Sequence, residues 1–307
     1  MSGNIKVRNK IRITFGDVVF NIFNYTLFAI LTFICVYPFW YMIINSISSN
    51  ELSARGLIFF WPREIQFTNY IQVFQIPGLA QATFISISRT VIGTICTVVA
   101  SAFLGYLFTR PMWGRKFWYR YVVITMYFNA GLIAVYLTIM NLGLLNNFLV
   151  YIIPGIVVPF NIILVKTFIE SMPISIHESA EIDGATPMQI FVSIILPLSK
   201  PILATIAIWT AVNQWNSFMD AVLYTTRSEL IPLQLILFRF INQANILARI
   251  ITGSGDMAQF AAQLATRQTP TSVRMTVTVL ITLPILFVYP FFQRYFVKGL
   301  MIGAVKG

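Results

Sequence analysis

Trp209, Asn213, Asn216 and Asp220 recur at i, i+4, i+7 and i+11, a spacing that puts all four on one face of a helix. An indole, two amides and a carboxylate in such a row can stack on a flat apolar face and bond the polar groups of a solute; the same groups can equally serve as contacts between packed helices. A second set, Glu178, Ser179, Ala180, Asp183, Gly184 and Ala185, interleaves acids with small residues in one short segment. Asn129, Asn161 and Arg89 are further polar residues in or near apolar stretches, and Arg89 is expected to snorkel outward.

Other chemistries find no residues to carry them. His177 is the single histidine and has no cysteine or acidic cluster at metal-ligand spacing, so neither a metal site nor a Ser/His/Asp set can be assembled around it. The phosphate-binding run G-x-x-x-x-G-K-[ST] is absent, and Gly253-Ser254-Gly255-Asp256 lacks the lysine. The sequence therefore predicts no enzyme, no catalytic residue and no cofactor in this chain.

The elements that must position these groups are membrane helices. Of 307 residues, 57% are hydrophobic and 10% charged, against roughly 25% charged in an ordinary soluble domain. About 20 apolar residues are needed for one crossing, and six stretches meet that length: Val18 to Ile44, Thr83 to Phe108, Arg120 to Met140, Phe148 to Phe168, Pro201 to Leu223 and Met275 to Phe296. The first is too long and too aromatic at its end (Tyr37, Pro38, Phe39, Trp40, Tyr41) for a cleaved signal peptide. Cys35 and Cys96 fall inside spans and read as small packing residues. The expected fold is thus an all-α membrane protein of six transmembrane helices.

The net charge of +11 is distributed as a membrane protein would have it rather than as a nucleic-acid binder. Lys6, Arg8, Lys10 and Arg12 precede the first span, Arg110, Arg115, Lys116 and Arg120 follow the second, and Arg294, Lys298 and Lys306 close the chain. An even number of spans puts all three groups on one side, which the positive-inside rule makes cytoplasmic. Residues 1–16 form a cytoplasmic segment, 17–297 the transmembrane domain and 298–307 a cytoplasmic tail. Leu230 to Ile251 is rich in Ile, Leu and Phe, but Arg239 and Arg249 argue against a seventh span, so it reads as an amphipathic helix within an external loop, 224–273.

The loop between spans four and five, residues 170–200, is the most informative segment. Ser175 with Glu178 three residues on makes a capping box, and Gly184 can take the left-handed turn that ends the short helix. Thr186 can cap a second helix with Pro187 at its first position; Ile190, Phe191, Ile194 and Ile195 give that helix an apolar stripe before Pro197 stops it. The expected product is a cytoplasmic helix-turn-helix.

In register with these residues the sequence resembles the coupling motif of binding-protein-dependent ABC permeases, E-A-A-x-x-D-G-A-x5-F-x2-I-x-L-P-x3-P. Glu178, Ala180, Asp183, Gly184, Ala185, Phe191, Ile194, Leu196, Pro197 and Pro201 match, and Ser179 replaces the second alanine. Trp215-Asn216-Ser217-Phe218, Gln293 to Gly299 and the terminal Gly303 to Gly307 are similar to the carbohydrate-uptake, maltose-permease-like branch, and Asn141-Leu142-Gly143-Leu144 with the long loop before span six is closest in look to permeases for complex oligosaccharides. The resemblance implies an importer subunit with a second homologous permease, two ATPase subunits that bind ATP and Mg, an extracellular solute-binding protein, a sugar substrate and membrane lipid as partners. In it, Glu178 to Ala185 with Phe191, Leu196 and Pro197 would dock on the ATPase, Asp183 accepting hydrogen bonds and Gly184 permitting the turn. Two alternatives stand beside it: a permease of the same family for a non-sugar solute, and an ion-gradient-driven carrier. The latter would want several intramembrane acids, and Asp220 is the one candidate.

Overall fold

A chain this apolar must satisfy its backbone internally, and helices do so within each segment. The computed structural model describes residues 14–251 and 274–287, and every regular element among the described residues is helical. The first helix, α1 (Phe15–Ser46), opens on a capping box in which the Thr14 N–H donates to Asp17 Oδ2 at 2.8 Å. Its flanks stay bare, with Phe20, Phe23, Tyr25 and Phe28 exposed, and only Ile44, Asn45 and Ser46 at its end are buried. Those residues knit to two short helices, α2 (Asn50–Ala54) and α3 (Thr68–Phe74), through Ser53 Oγ to Asn45 Oδ1 (2.8 Å) and the Ser46 and Tyr70 hydroxyls (2.8 Å).

The central rod is α4 (Leu79–Leu107). After α5 (Arg115–Tyr127) and α6 (Gly131–Asn141), two 3₁₀ turns (Phe148–Tyr151, Ile153–Gly155) lead into α7 (Pro159–Glu170). Then come α8 (Ser175–Ile182), α9 (Pro187–Ile190), a π-turn (Phe191–Ile195), α10 (Leu196–Leu198), α11 (Lys200–Asn216), α12 (Met219–Tyr224), α13 (Leu233–Ile251) and α14 (Arg274–Phe287). α11 and α7 pack along α4, and glycines set the approach. A Cβ at Gly105 would lie 2.6 Å from Val165 Cγ1 and 3.2 Å from the Lys166 amide nitrogen; one at Gly93 would lie 2.7 Å from Gln214 Nε2.

Six unbroken spans are not what the described residues form. Two helices, α1 and α4, are long and apolar enough to cross a membrane, and the number rises to four if two bent pairs, Phe148–Gly155 with Pro159–Glu170 (46°) and Pro187–Leu198 with Lys200–Asn216 (75°), each count as one. The stretch Arg120 to Met140 is cut where Phe128 turns extended and Gly131 adopts φ +78°, with Asn129 Oδ1 accepting from the Gly131 N–H at 2.9 Å. Pro201 to Leu223 is cut at Ser217 (ψ 134°), so α12 is a separate element. Met275 to Phe296 is helical through Phe287, and the remainder lies outside the described residues, as do Gly253 to Asp256 and the C-terminal motif.

The loop after α7 also departs from its sequence reading at two points. Ser175 is not a cap: Ile174 is already right-handed helical, and its carbonyl accepts from the His177 (2.9 Å) and Glu178 (3.1 Å) amides, so the turn begins one residue early and Glu178 is free of a capping box. Pro197 does not stop the second helix. A proline interrupts the ladder and crowds the carbonyl four residues back, and the π-turn over Phe191–Ile195 absorbs that mismatch, carrying the helix on to Leu198.

Candidate functional site

Arg89, in the middle of α4, is 1% exposed. It does not snorkel. Its Nε and Nη2 donate to Gln214 Oε1 (3.2 and 3.1 Å), its Nη1 donates to the Ser217 carbonyl and to Asp220 Oδ1 (both 3.2 Å), and its Nη2 also contacts Asp220 Oδ2. The guanidinium carbon lies 4.3 Å from the Tyr151 ring centroid. A buried charge is tolerable when paired and hydrogen-bonded on every side, and here the break at Ser217 supplies the freed carbonyl and turns Asp220 toward α4. Gln214 is held in turn, its Nε2 donating to the Tyr151 carbonyl at 3.1 Å, and the Tyr151 hydroxyl donates to the Leu230 carbonyl at 2.8 Å.

The covered guanidinium forms the floor of a cavity of about 550 Å³ whose lining includes Asn161, Phe160, Trp209, Asn213 and Asp220. Asp220 keeps 22% of its side chain accessible, while Arg89 keeps 2%; the ionic group presented to the cavity is therefore the carboxylate. Phe160 and Trp209 lie with ring centroids 6.2 Å apart at 28°. Aromatic faces beside amide and carboxylate acceptors, in a cavity of this size, suit a polar solute with both flat apolar faces and hydroxyls.

Of the residues that the helical spacing grouped, Trp209, Asn213 and Asp220 meet at this cavity. Asn216 does not: its Oδ1 accepts from Gln234 Nε2 at 3.2 Å, toward α13. Arg89, Gln214 and Tyr151 were missed as partners. The available signals were an arginine inside an apolar helix and a lone acid in a later one, but nothing in a single sequence pairs them.

The second site is the helix-turn-helix α8 to α10. Gly184 takes φ +78°, as expected, and Thr186 and Gln189 form the capping box with Pro187 in the first turn (Gln189 N to Thr186 Oγ1, 3.4 Å; Thr186 N to Gln189 Oε1, 2.7 Å). Ala180, Ile190, Phe191 and Ile195 face inward, forming one apolar cluster with Ala102, Tyr106, Val165, Ile169 and Ile206, while Ala185 packs at its edge. Phe191 stacks on Tyr106 (5.1 Å), Tyr106 on His177 (6.3 Å), and the Tyr106 hydroxyl donates to the Pro187 carbonyl (3.0 Å). Arg110, just beyond α4, bonds Glu181. Burial and the positive charge of Arg110 hold the His177 pKa below its ordinary value despite Glu181, and its Nδ1 has no hydrogen-bond partner among the described residues. Glu178, Ser179, Asp183, Gly184, Leu196 and Pro197 stay exposed, and Ile182 is 85% exposed. Ile174 (71%) and Met188 (56%) are exposed on the same segment.

Residues 97–302 match the family described as the binding-protein-dependent transport system inner membrane component. The chain is 36% identical over 290 residues to protein LplC of Bacillus subtilis, covering 94% of this chain and 95% of the relative. It is 33% identical to the polygalacturonan/rhamnogalacturonan transport system permease protein YtcP of Bacillus subtilis (94% and 99%) and 30% identical to the arabinooligosaccharides permease protein AraQ of Halalkalibacterium halodurans (91% and 94%). Among solved structures it is similar, with a TM-score of 0.80, 31% identity and coverage of 92% and 98%, to a chain from the crystal structure of a bacterial ABC transporter involved in the import of the acidic polysaccharide alginate.

Proposed function

The chain belongs to the family of inner membrane components of binding-protein-dependent transport systems, and from that premise we propose how its two sites share the work of one importer. It is a multi-pass membrane permease subunit of an ABC importer for carbohydrates, with oligosaccharides as the solute class. The chain crosses the membrane six times, three of the crossings being the broken stretches from Arg120, Phe148 and Pro201. Both termini and the loop 170–200 face the cytoplasm, and 224–273 faces outward; the basic residues beside Arg110 and at the two ends of the chain support that orientation. A second permease of similar fold completes the pathway, two ATPase subunits hold ATP and Mg, and an extracellular binding protein delivers the sugar.

The observation that carries the coupling reading is that α4 bears both sites. Arg89 sits at the cavity, and Tyr106 with Arg110 holds the helix-turn-helix. Seventeen residues of helix separate Arg89 from Tyr106, about 25 Å at 1.5 Å per residue. A rigid element that spans this distance transmits a displacement of the docked loop to the floor of the cavity. Glu178, Ser179, Asp183, Gly184, Leu196 and Pro197 form the docking surface, with Ala180, Ala185 and Phe191 holding its shape; Trp209, Asn213 and Asp220 contact the sugar, and Asn216 positions α13 instead.

The test is Gly184→Asp. The φ of +78° strains any other residue there by roughly 1–3 kcal/mol, and since a Cβ meets nothing within 4 Å, the change adds charge to the docking face without disturbing the core. The expected result is a permease that still inserts and binds its partner permease but loses sugar uptake and ATPase subunit retention on purification. Full uptake by this variant would remove the loop from the coupling mechanism.

A further inference from the structure

We propose that the connection between α4 and α5 is a binding site for the headgroup of an anionic phospholipid. Arg110, Arg115, Lys116 and Arg120 crowd eleven positions of sequence without one acid among them. Arg110 is taken by Glu181, and Arg115 reaches the Thr109 carbonyl through Nη1 at 3.3 Å; no carboxylate pairs with Arg115, Lys116 or Arg120 among the described residues. Three of these cations occupy the first two turns of α5, whose first turn holds no acid. The partial positive charge at a helix start favours anions there and disfavours cations. A local choice that opposes the helix's own stability is a mark of a functional surface, and a bound anion would resolve it.

The surroundings identify the anion's source. A concavity of about 820 Å³ is lined by Pro111 to Lys116 with Phe117 and Arg120. Trp113 is 92% exposed, and Phe117, Trp118 and Tyr121 are exposed beside it. Trp and Tyr collect at the level of lipid headgroups because one end of each is apolar and the other polar, and Phe117 adds acyl-chain contact. Basic residues next to a span attract anionic lipid at the cytoplasmic surface. Guanidinium and ammonium groups thus take the phosphate while the rings enter the chain region. The connection includes Arg110, which pairs with Glu181 of the helix-turn-helix, so an occupied site lies next to the coupling loop.

The full chain with its co-purifying subunits is exchanged into equimolar phosphatidylglycerol and phosphatidylcholine of matched chain length, and retained lipid is counted by native mass spectrometry. The wild-type protein is expected to retain phosphatidylglycerol preferentially, and Arg115→Gln, Lys116→Gln and Arg120→Gln combined to lower that retention on the order of a hundredfold. Removing the same charge at exposed Arg55, Arg63 and Arg227 should leave it unchanged. No preference in the wild-type protein, or an equal fall in both triple variants, overturns the site. So does loss of an ATPase subunit with lipid retention intact, which would make the patch a protein interface.

Discussion

Two stretches of α4, one at Tyr106 near its end and one at Arg89 further inside, hold their neighbours by opposite means. At the Tyr106 end, rings and aliphatic groups interlock and the charged pair Arg110–Glu181 lies at the rim, 22% and 49% exposed. At Arg89, a charge is buried outright, and the elements it joins meet through its hydrogen bonds. Packing of the first kind tolerates small adjustments, whereas the second fails as a unit when one partner is removed. The contrast fits the proposed division of labour, in which the loop would move as one piece with α4 while the cavity fixes the orientation of one carboxylate.

Substitutions can break this contrast where it is steepest. Asp220→Ala leaves Arg89 buried and unpaired, and should lower the free energy of unfolding in mild detergent by about 3–5 kcal/mol. Arg89→Met with Asp220→Leu should restore most of it, since an apolar pair needs no partner. If the single change proves silent, the ion pair does not hold the cavity floor. Gly105→Ala tests the packed end, because its Cβ would collide with Val165 and approach the Lys166 backbone. A loss of about 1–3 kcal/mol in the same assay is expected from overpacking. Arg110→Gln should cost under about 1 kcal/mol, as partly exposed pairs do.

The smallest effect is a pH dependence. The folded-state pKa of His177 lies below its unfolded value near 6.5, so the unfolded chain binds the extra proton first. Its contribution to stability is complete above about pH 6.5 and is lost as pH falls from there toward the lower folded value. His177→Phe keeps a ring on Tyr106 and should flatten this part of a melting-temperature profile between about pH 7.5 and pH 5. An unchanged profile would mean that His177 is not held neutral by its setting.

Local chemistry was readable wherever a local cause decides the geometry. Gly184 needed only its missing Cβ, and Thr186-Pro187 with Gln189 needed only residues three apart. Where a neighbour intervenes, the reading failed: Pro173 and Ile174 start α8 before Ser175 can cap it, and the π-turn lets Pro197 remain in a helix. Hydropathy located the apolar stretches but not their breaks, because Phe128 to Ala130 and Ser217-Phe218 interrupt the hydrogen-bond ladder without any charge to interrupt the apolar run. Asn129 beside Gly131 was the legible sign of the first break. The cavity was half visible: helical spacing found Trp209, Asn213 and Asp220 but carried Asn216 along with them, since it assumed one straight helix through residue 220.

The burial of Arg89 has a consequence for how the protein is made. Its carboxylate partner is encoded 131 residues downstream, and at 5–20 residues per second a ribosome needs on the order of ten seconds to reach it. Throughout that interval α4 must reside in the membrane with an unneutralised guanidinium near its middle, a cost of about 2.5–3.5 kcal/mol that its other apolar residues have to outweigh. The N-terminal half of the chain is therefore delivered to the bilayer in a provisional arrangement. It becomes final only when α11 and α12 arrive, so a nascent chain truncated before Gln214 should be a preferred target of membrane quality control.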